Sequence, residues 1–182
     1  MNILSGKVAV ITGAARGIGS AIARRFAAEG ASVVINYAMR KTEAERTLAA
    51  IEAKGGKAFI FQADITKASG VEKLFAATKE RFGRLDLLVN NAGLDDFMPI
   101  EQVAEQHFHS PYNVNVLGVM LVVKEAVKYI DKKQGYILNI GSLSSTRPHQ
   151  GDLVYGASKS ATDAMTAALA LELGPSGIRV NS

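Results

Sequence analysis

Apolar residues along this 182-residue chain fall into two kinds of run. Short, uninterrupted, β-branched runs read as strands buried on both faces, and longer ones with apolar positions every three or four residues read as helices with one buried stripe. Val8-Ala9-Val10-Ile11 lies in a predicted strand over Lys7–Thr12 that ends directly in Gly13-Ala14-Ala15-Arg16-Gly17-Ile18-Gly19. From Ile18 the apolar positions Ile22 and Phe26 recur every four residues until Gly30, which predicts a helix and its stop. Further strands are predicted at Ser32–Ile35, Ala58–Phe61, Leu85–Val89, Tyr136–Ile140 and Ile178–Asn181.

Between them the pattern predicts helices. Thr42–Lys54 is opened by a Thr42/Glu45 capping box and closed by Gly55-Gly56, and Ser69–Phe82 by a Ser69/Glu72 box and Gly83. A short polar helix around Glu101–Gln106 precedes a long one over Tyr112–Ile130, and another covers Leu153–Leu173. The 112–130 helix is apolar on more than one side, which predicts a contact with another subunit as well as with the sheet. Strands alternating with helices of this length imply parallel βαβ units: an α/β, doubly wound parallel sheet of the Rossmann kind, a single domain over 1–182 with six strands. Ligands of such a sheet bind outside the carboxyl ends of its strands. The glycine turn, Asp64, Asn90-Asn91-Ala92-Gly93 and the turn after strand five all fall at such ends.

Composition narrows the function. The net charge of +4 is spread without a run of five like charges, which argues against nucleic acid as a partner and suits an anionic small ligand. Absence of cysteine removes disulfides, zinc-thiolate sites and thiol nucleophiles together and fits a reducing compartment. The first residues lack an apolar leader, and the longest apolar stretch, Val116–Val123, is far short of the ~18 to 20 residues of a membrane span. The expectation is a cytoplasmic protein without membrane, nucleic-acid or metal partners. His107 and His109 read as surface residues, Asp95 and Asp96 as a solvated loop, and His149 as a candidate at a substrate mouth.

Three stretches carry chemistry. The spacing Gly13-x-x-x-Gly17-x-Gly19, between a strand and a helix, lets the backbone approach a pyrophosphate closely while the helix aims free amides at it. The end of strand two, Asn36-Tyr37-Ala38-Met39-Arg40-Lys41, has no acid to accept a ribose 2'-hydroxyl before Glu43. Arg16 with Arg40 or Lys41 would instead meet a 2'-phosphate, so NADP(H) is expected and NAD is the alternative. Tyr155 and Lys159 stand four residues apart, which on a helix leaves them within about 40° on one face. An ammonium beside a phenol favours the phenolate, so Tyr155 is the candidate proton donor or acceptor.

These motifs resemble the classical short-chain dehydrogenase/reductase family, from Lys7 to Ser182. Thr12–Gly19 matches its Thr-Gly-x-x-x-Gly-x-Gly, Asn90–Gly93 its Asn-Asn-Ala-Gly and Tyr155–Lys159 its Tyr-x-x-x-Lys, while Ser142 and Asn115 fall at its catalytic serine and asparagine. The resemblance implies an oxidoreductase interconverting a small-molecule carbonyl and alcohol by hydride transfer, with Tyr155 as acid/base. Lys159 would tune Tyr155 and hold the nicotinamide ribose, Ser142 would bond the substrate oxygen, and Asn115 would position water in a proton relay. Cofactor contacts are expected at Gly13, Arg16, Gly17, Ile18, Gly19, Asn36, Tyr37, Asp64, Ile65, Asn91, Ala92, Gly93, Tyr155 and Lys159, with a homo-oligomer through helices 112–130 and 153–173. Members of the family continue past Arg179-Val180-Asn181-Ser182 into a substrate-covering segment and a final strand absent here. The 182-residue chain is therefore expected to be a C-terminally truncated form that binds cofactor weakly and turns over poorly. A non-catalytic dinucleotide-binding or scaffold protein is the alternative. An epimerase or dehydratase is disfavoured by the glycine spacing.

Overall fold

The computed structural model describes residues 2–182. Six strands, β1 (Val8–Ile11), β2 (Ser32–Tyr37), β3 (Lys57–Gln62), β4 (Leu87–Asn90), β5 (Tyr136–Asn139) and β6 (Arg179–Asn181), form one sheet in the order β3-β2-β1-β4-β5-β6. Every pairing is parallel. The order reverses between β1 and β4, so the turns leaving those two strands lie side by side at the switch point.

Side chains alternate across the sheet and build a core on each face. Val10, Val34, Leu88 and Ile137 point to one side, where they meet Val71, Leu74 and Phe75 of α3 (Ala68–Phe82) and Val119, Val122 and Val123 of α5 (Val119–Ala126). Ile11, Val33, Ile35 and Val89 point to the other and meet Ala23 and Ala27 of α1 (Gly17–Ala28) and Ala44 and Ile51 of α2 (Lys41–Glu52). The alanine-rich inner face of α1 lets that helix lie close to the strands. The last helix, α6, spans Leu153–Leu173, the bounds expected from its pattern, and packs beside β6.

Three local expectations are corrected. Neither capping box forms: α2 begins at Lys41 with Arg40 at its cap, and α3 begins at Ala68 with Lys67 at its cap, so Thr42 and Ser69 sit inside the first turn. The helix expected from Tyr112 begins at Glu105 as α4 (Glu105–Tyr112), helped by the His107 ring, whose Nδ1 accepts the Ala104 N–H at 2.9 Å. It runs through Pro111 into a π-helical segment, Asn113–Gly118, and continues as α5. Pro111 lacks the N–H of a regular turn, and the wider π segment follows it directly. The helix also stops short of Ile130, which leaves it to bridge Leu85. The short helix expected at Glu101–Gln106 is only a 3-10 turn, Ile100–Gln102.

Candidate active site

The glycine turn is built by close approach. Gly13 has φ +62, and a Cβ there would lie 2.8 Å from Ala92 Cα, while one on Gly19 would collide with the Asn91 amide. Thr12, fully buried, locks the two turns together: its Oγ1 accepts the N–H groups of Asn91 and Ala92, each at 3.0 Å. Asn91 Nδ2 donates to the carbonyls of Thr12 and Gly13 at 2.9 and 3.1 Å. The motif reading includes Thr12 without giving it a role. A short β-branched hydroxyl residue at a strand exit is the signal that points to one.

These restraints leave the N-terminus of α1 open. Its cap residue Arg16 makes no side-chain cap bond, its first turn holds no acid, and a Cβ on Gly17 would meet nothing within 4 Å. Gly17 and Ile18 are exposed there and Arg16 projects beside them. An uncapped helix start with unfilled space above it fits the phosphates of a dinucleotide. At the end of β3, Asp64 is exposed and uses Oδ1 alone to accept the Thr66 N–H at 2.9 Å and hydroxyl at 2.8 Å.

Three of the expected cofactor residues have their side chains engaged within the protein. Asn36 is buried, its Oδ1 accepts the Gly13 N–H at 3.3 Å and its Nδ2 donates to the Ala63 carbonyl at 3.0 Å, which ties β2 to the glycine turn. Tyr37 is buried at the end of β2, and Ile65 packs into the core against Gly118. Arg40 is exposed and pairs with Glu43 at 3.2 Å; Lys41 stands 3.7 Å from Glu45.

The catalytic candidates gather one strand further along. Helix α6 places Tyr155 and Lys159 on one face, with Lys159 Nζ 5.9 Å from the centre of the Tyr155 ring. Lys159 is buried and donates to the Ile140 carbonyl at the exit of β5 at 2.8 Å. Burial pushes its ammonium below the ordinary lysine value, and the charge of Asp163, one turn on, works in the opposite direction. Ser142 begins a 3-10 turn, and its Oγ accepts the Ser144 N–H at 3.2 Å, so its own hydrogen stays available for another acceptor.

Asn115 lies on the π segment and is 1 % exposed. Its Oδ1 accepts the Leu94 N–H and its Nδ2 donates to the Leu94 carbonyl, both at 2.9 Å. A third bond, from Nδ2 to Ser158 Oγ at 2.9 Å, continues through Ser158 to the Tyr155 carbonyl at 2.7 Å. One amide thus joins the loop after β4 to the helix that carries Tyr155. Gly93 sits between them: a Cβ there would be 3.5 Å from Asn115 Oδ1 and 3.7 Å from Lys159 Nζ. Ser158, a neighbour of the Tyr-x-x-x-Lys pair, escapes the sequence reading because its role depends on the distant Asn115. The His109 ring is exposed and half-exposed His107 serves its helix cap, so neither lies with these groups.

A family model described as short chain dehydrogenase matches residues 7–182. The chain belongs to the short-chain dehydrogenase family. An uncharacterized oxidoreductase of Methylorubrum extorquens is 46% identical over 181 residues, which cover 100% of this chain and 73% of that protein. Glucose 1-dehydrogenase 2 of Bacillus subtilis is 39% identical, with 98% and 70% covered. Among solved structures, a short chain dehydrogenase from Burkholderia cenocepacia in complex with NADP superposes with a TM-score of 0.93 at 40% identity, covering 98% of this chain and 73% of that one. The chain thus spans about seven tenths of the length of these relatives. As a short-chain dehydrogenase it is an NAD(P)-dependent oxidoreductase by family. No helix among the described residues is long and apolar enough to cross a membrane.

Proposed function

We propose that this short-chain dehydrogenase interconverts a carbonyl and an alcohol with NADP(H), using Tyr155 as the proton donor and acceptor. The observation that carries the reading is the Tyr155–Lys159 face of α6, held by the Ile140 carbonyl and by the Asn115–Ser158 bonds at the carboxyl end of β5. The bound dinucleotide supplies the hydride in reduction and accepts it in oxidation. In reduction the Tyr155 hydroxyl gives its proton to the substrate oxygen, and in oxidation the phenolate takes one from the alcohol. Ser142 Oγ donates a hydrogen bond to the same oxygen and stabilises its charge as it develops. Lys159 brings a positive charge to the face where the phenolate forms and holds the ribose hydroxyls. Asn115 keeps Leu94 and α6 in register, so its side chain is a positioning element here.

The anion cradle at Gly17–Gly19 supports a dinucleotide, with Asp64 toward the adenine. Exposed Arg16 and Arg40, with no acid at the end of β2, support NADP(H) over NAD. Exposed Phe108, Leu117 and Met120 on the 105–126 helix, with Leu153 and Leu171 on α6, support a homo-oligomer built on these two helices. The test compares the parent with Tyr155→Phe for dinucleotide affinity and for turnover on a panel of ketones. The expected outcome is unchanged affinity and a loss of at least ~1000-fold in kcat. Dinucleotide binding by a parent that reduces no ketone would favour the non-catalytic alternative.

A further inference from the structure

The loop after β4 and the turn before α6 meet beside Tyr155 in a way the acid/base chemistry does not require. Phe97 is 50% exposed, yet its ring lies edge-on to Tyr155 at 5.5 Å between centroids and tilted against His149 at 5.1 Å. The loop is pinned there by the Met98 N–H, which donates to the Gly151 carbonyl at 2.8 Å. His149 is itself held: Nδ1 is 3.1 Å from the Gln150 carbonyl and Nε2 is 3.6 Å from Asp152 Oδ2. Asp152 is 1 % exposed, and neither carboxylate oxygen has a hydrogen-bond partner. A buried carboxylate without donors is expensive, and the His149 ring is the side chain that stands against it. His149, held at the Gln150 carbonyl and facing Asp152, backs the Phe97 ring.

An exposed ring fixed next to a reacting hydroxyl leaves an aromatic face for a ligand to cover. Leu94, 39% exposed on the same loop as Phe97, and Leu143, 77% exposed and next to Ser142 in sequence, add exposed apolar surface to the loops that carry the site. With Asp152 buried behind His149, Asp95 and Asp96 next to Phe97 outnumber the exposed Arg147, a negative balance that disfavours an anionic substrate. We propose that the site selects neutral aromatic ketones and the corresponding benzylic alcohols, with the substrate ring packed on the Phe97–His149 wall. The inference rests on the carbonyl/alcohol reading above.

The test measures dissociation constants of acetophenone, of its saturated counterpart cyclohexyl methyl ketone and of anionic benzoylformate, on the chain saturated with NADP+ so that nothing turns over. Acetophenone is expected to bind about fivefold more tightly than cyclohexyl methyl ketone, the size of a ring–ring preference, and benzoylformate more weakly than acetophenone. Phe97→Leu should bring the acetophenone ratio to about one with NADP+ affinity unchanged. For the brace, His149→Phe should keep the preference and His149→Ala lose it, while Asp152→Asn should lower it in the parent and not in His149→Phe. Equal affinity for the two neutral ketones, no binding of either, or a preference that survives Phe97→Leu overturns the inference and leaves the oxidoreductase reading standing. Failure to bind any nicotinamide dinucleotide sinks that reading, and this one with it.

Discussion

Lys159 shows how a side chain proposed for the chemistry is placed at the expense of stability. The ammonium is buried against a carbonyl and an aromatic face, and desolvation lowers its pKa while Asp163 partly restores it. The unfolded chain therefore binds the proton more tightly than the folded one. The burial cost is fully present below the folded pKa and is relieved as pH rises from there toward the unfolded value of 10.5. Lys159→Met should raise Tm at pH 7 by a few degrees, a gain on the order of 1 kcal/mol, and should abolish turnover. Differential scanning calorimetry at pH 7 and pH 10 checks it: the gain should shrink at the higher pH. Asp163→Asn removes the opposing charge, so the Lys159 ε-methylene NMR signal should titrate at lower pH than in the parent. The pairing of Tyr155 with Lys159 is legible from a spacing of four. The burial of Lys159 is not, because Ile140 and Gly93 come from elsewhere in the chain.

At the level of elements, periodicity located all six strands and the main helices, and Gly83 ends α3 as expected, whereas both helix-start signals failed. Thr42 and Ser69 both have the residue pattern of a capping box, yet the helices start one residue before them and leave their hydroxyls exposed in the first turn. Replacing either by alanine should change stability by less than ~0.5 kcal/mol in urea titrations, where loss of a true cap would cost about 1 kcal/mol. The glycine turn should behave in the opposite way. Gly13→Ala forces a side chain into a positive-φ position 2.8 Å from Ala92 Cα, so it should cost about 2 kcal/mol and weaken dinucleotide binding, measurable by titrating NADP+ against intrinsic fluorescence. Between α4 and α5 the π segment carries Asn115 into the interior. Apolar periodicity cannot show a π turn, since one added residue merely rotates the stripe.

For the molecule as a whole, strand order sets where chemistry can occur. The turns after β1 and β4 touch at the switch point and the exit of β5 comes next, so the glycine turn, Asn-Asn-Ala-Gly and Tyr155–Lys159 line one edge of the sheet. The groove between α2, β3 and α3, walled by Phe59, Phe82 and Arg81, opens beside the first residues of β3, away from that edge. Exposed apolar residues of the 105–126 helix and of α6 bear on assembly. Sedimentation velocity should show a dimer or tetramer at micromolar concentration, and Met120→Asp should shift it toward monomer, because a charge in an apolar interface is left unpaired. Local periodicity and short spacings were enough to give the alternation of strands and helices, the parallel sheet, the glycine turn and the candidate pair Tyr155 and Lys159, since each depends on neighbours along the chain. That Asn36 ties strands together, that Asn115 clamps Leu94 to α6, and that Phe97, His149 and Asp152 stand near Tyr155 follows from the packed fold alone. Those contacts join residues 21 to 58 positions apart or lie across turns, and burial and hydrogen-bond partners at such separations exist only once the sheet has brought them together.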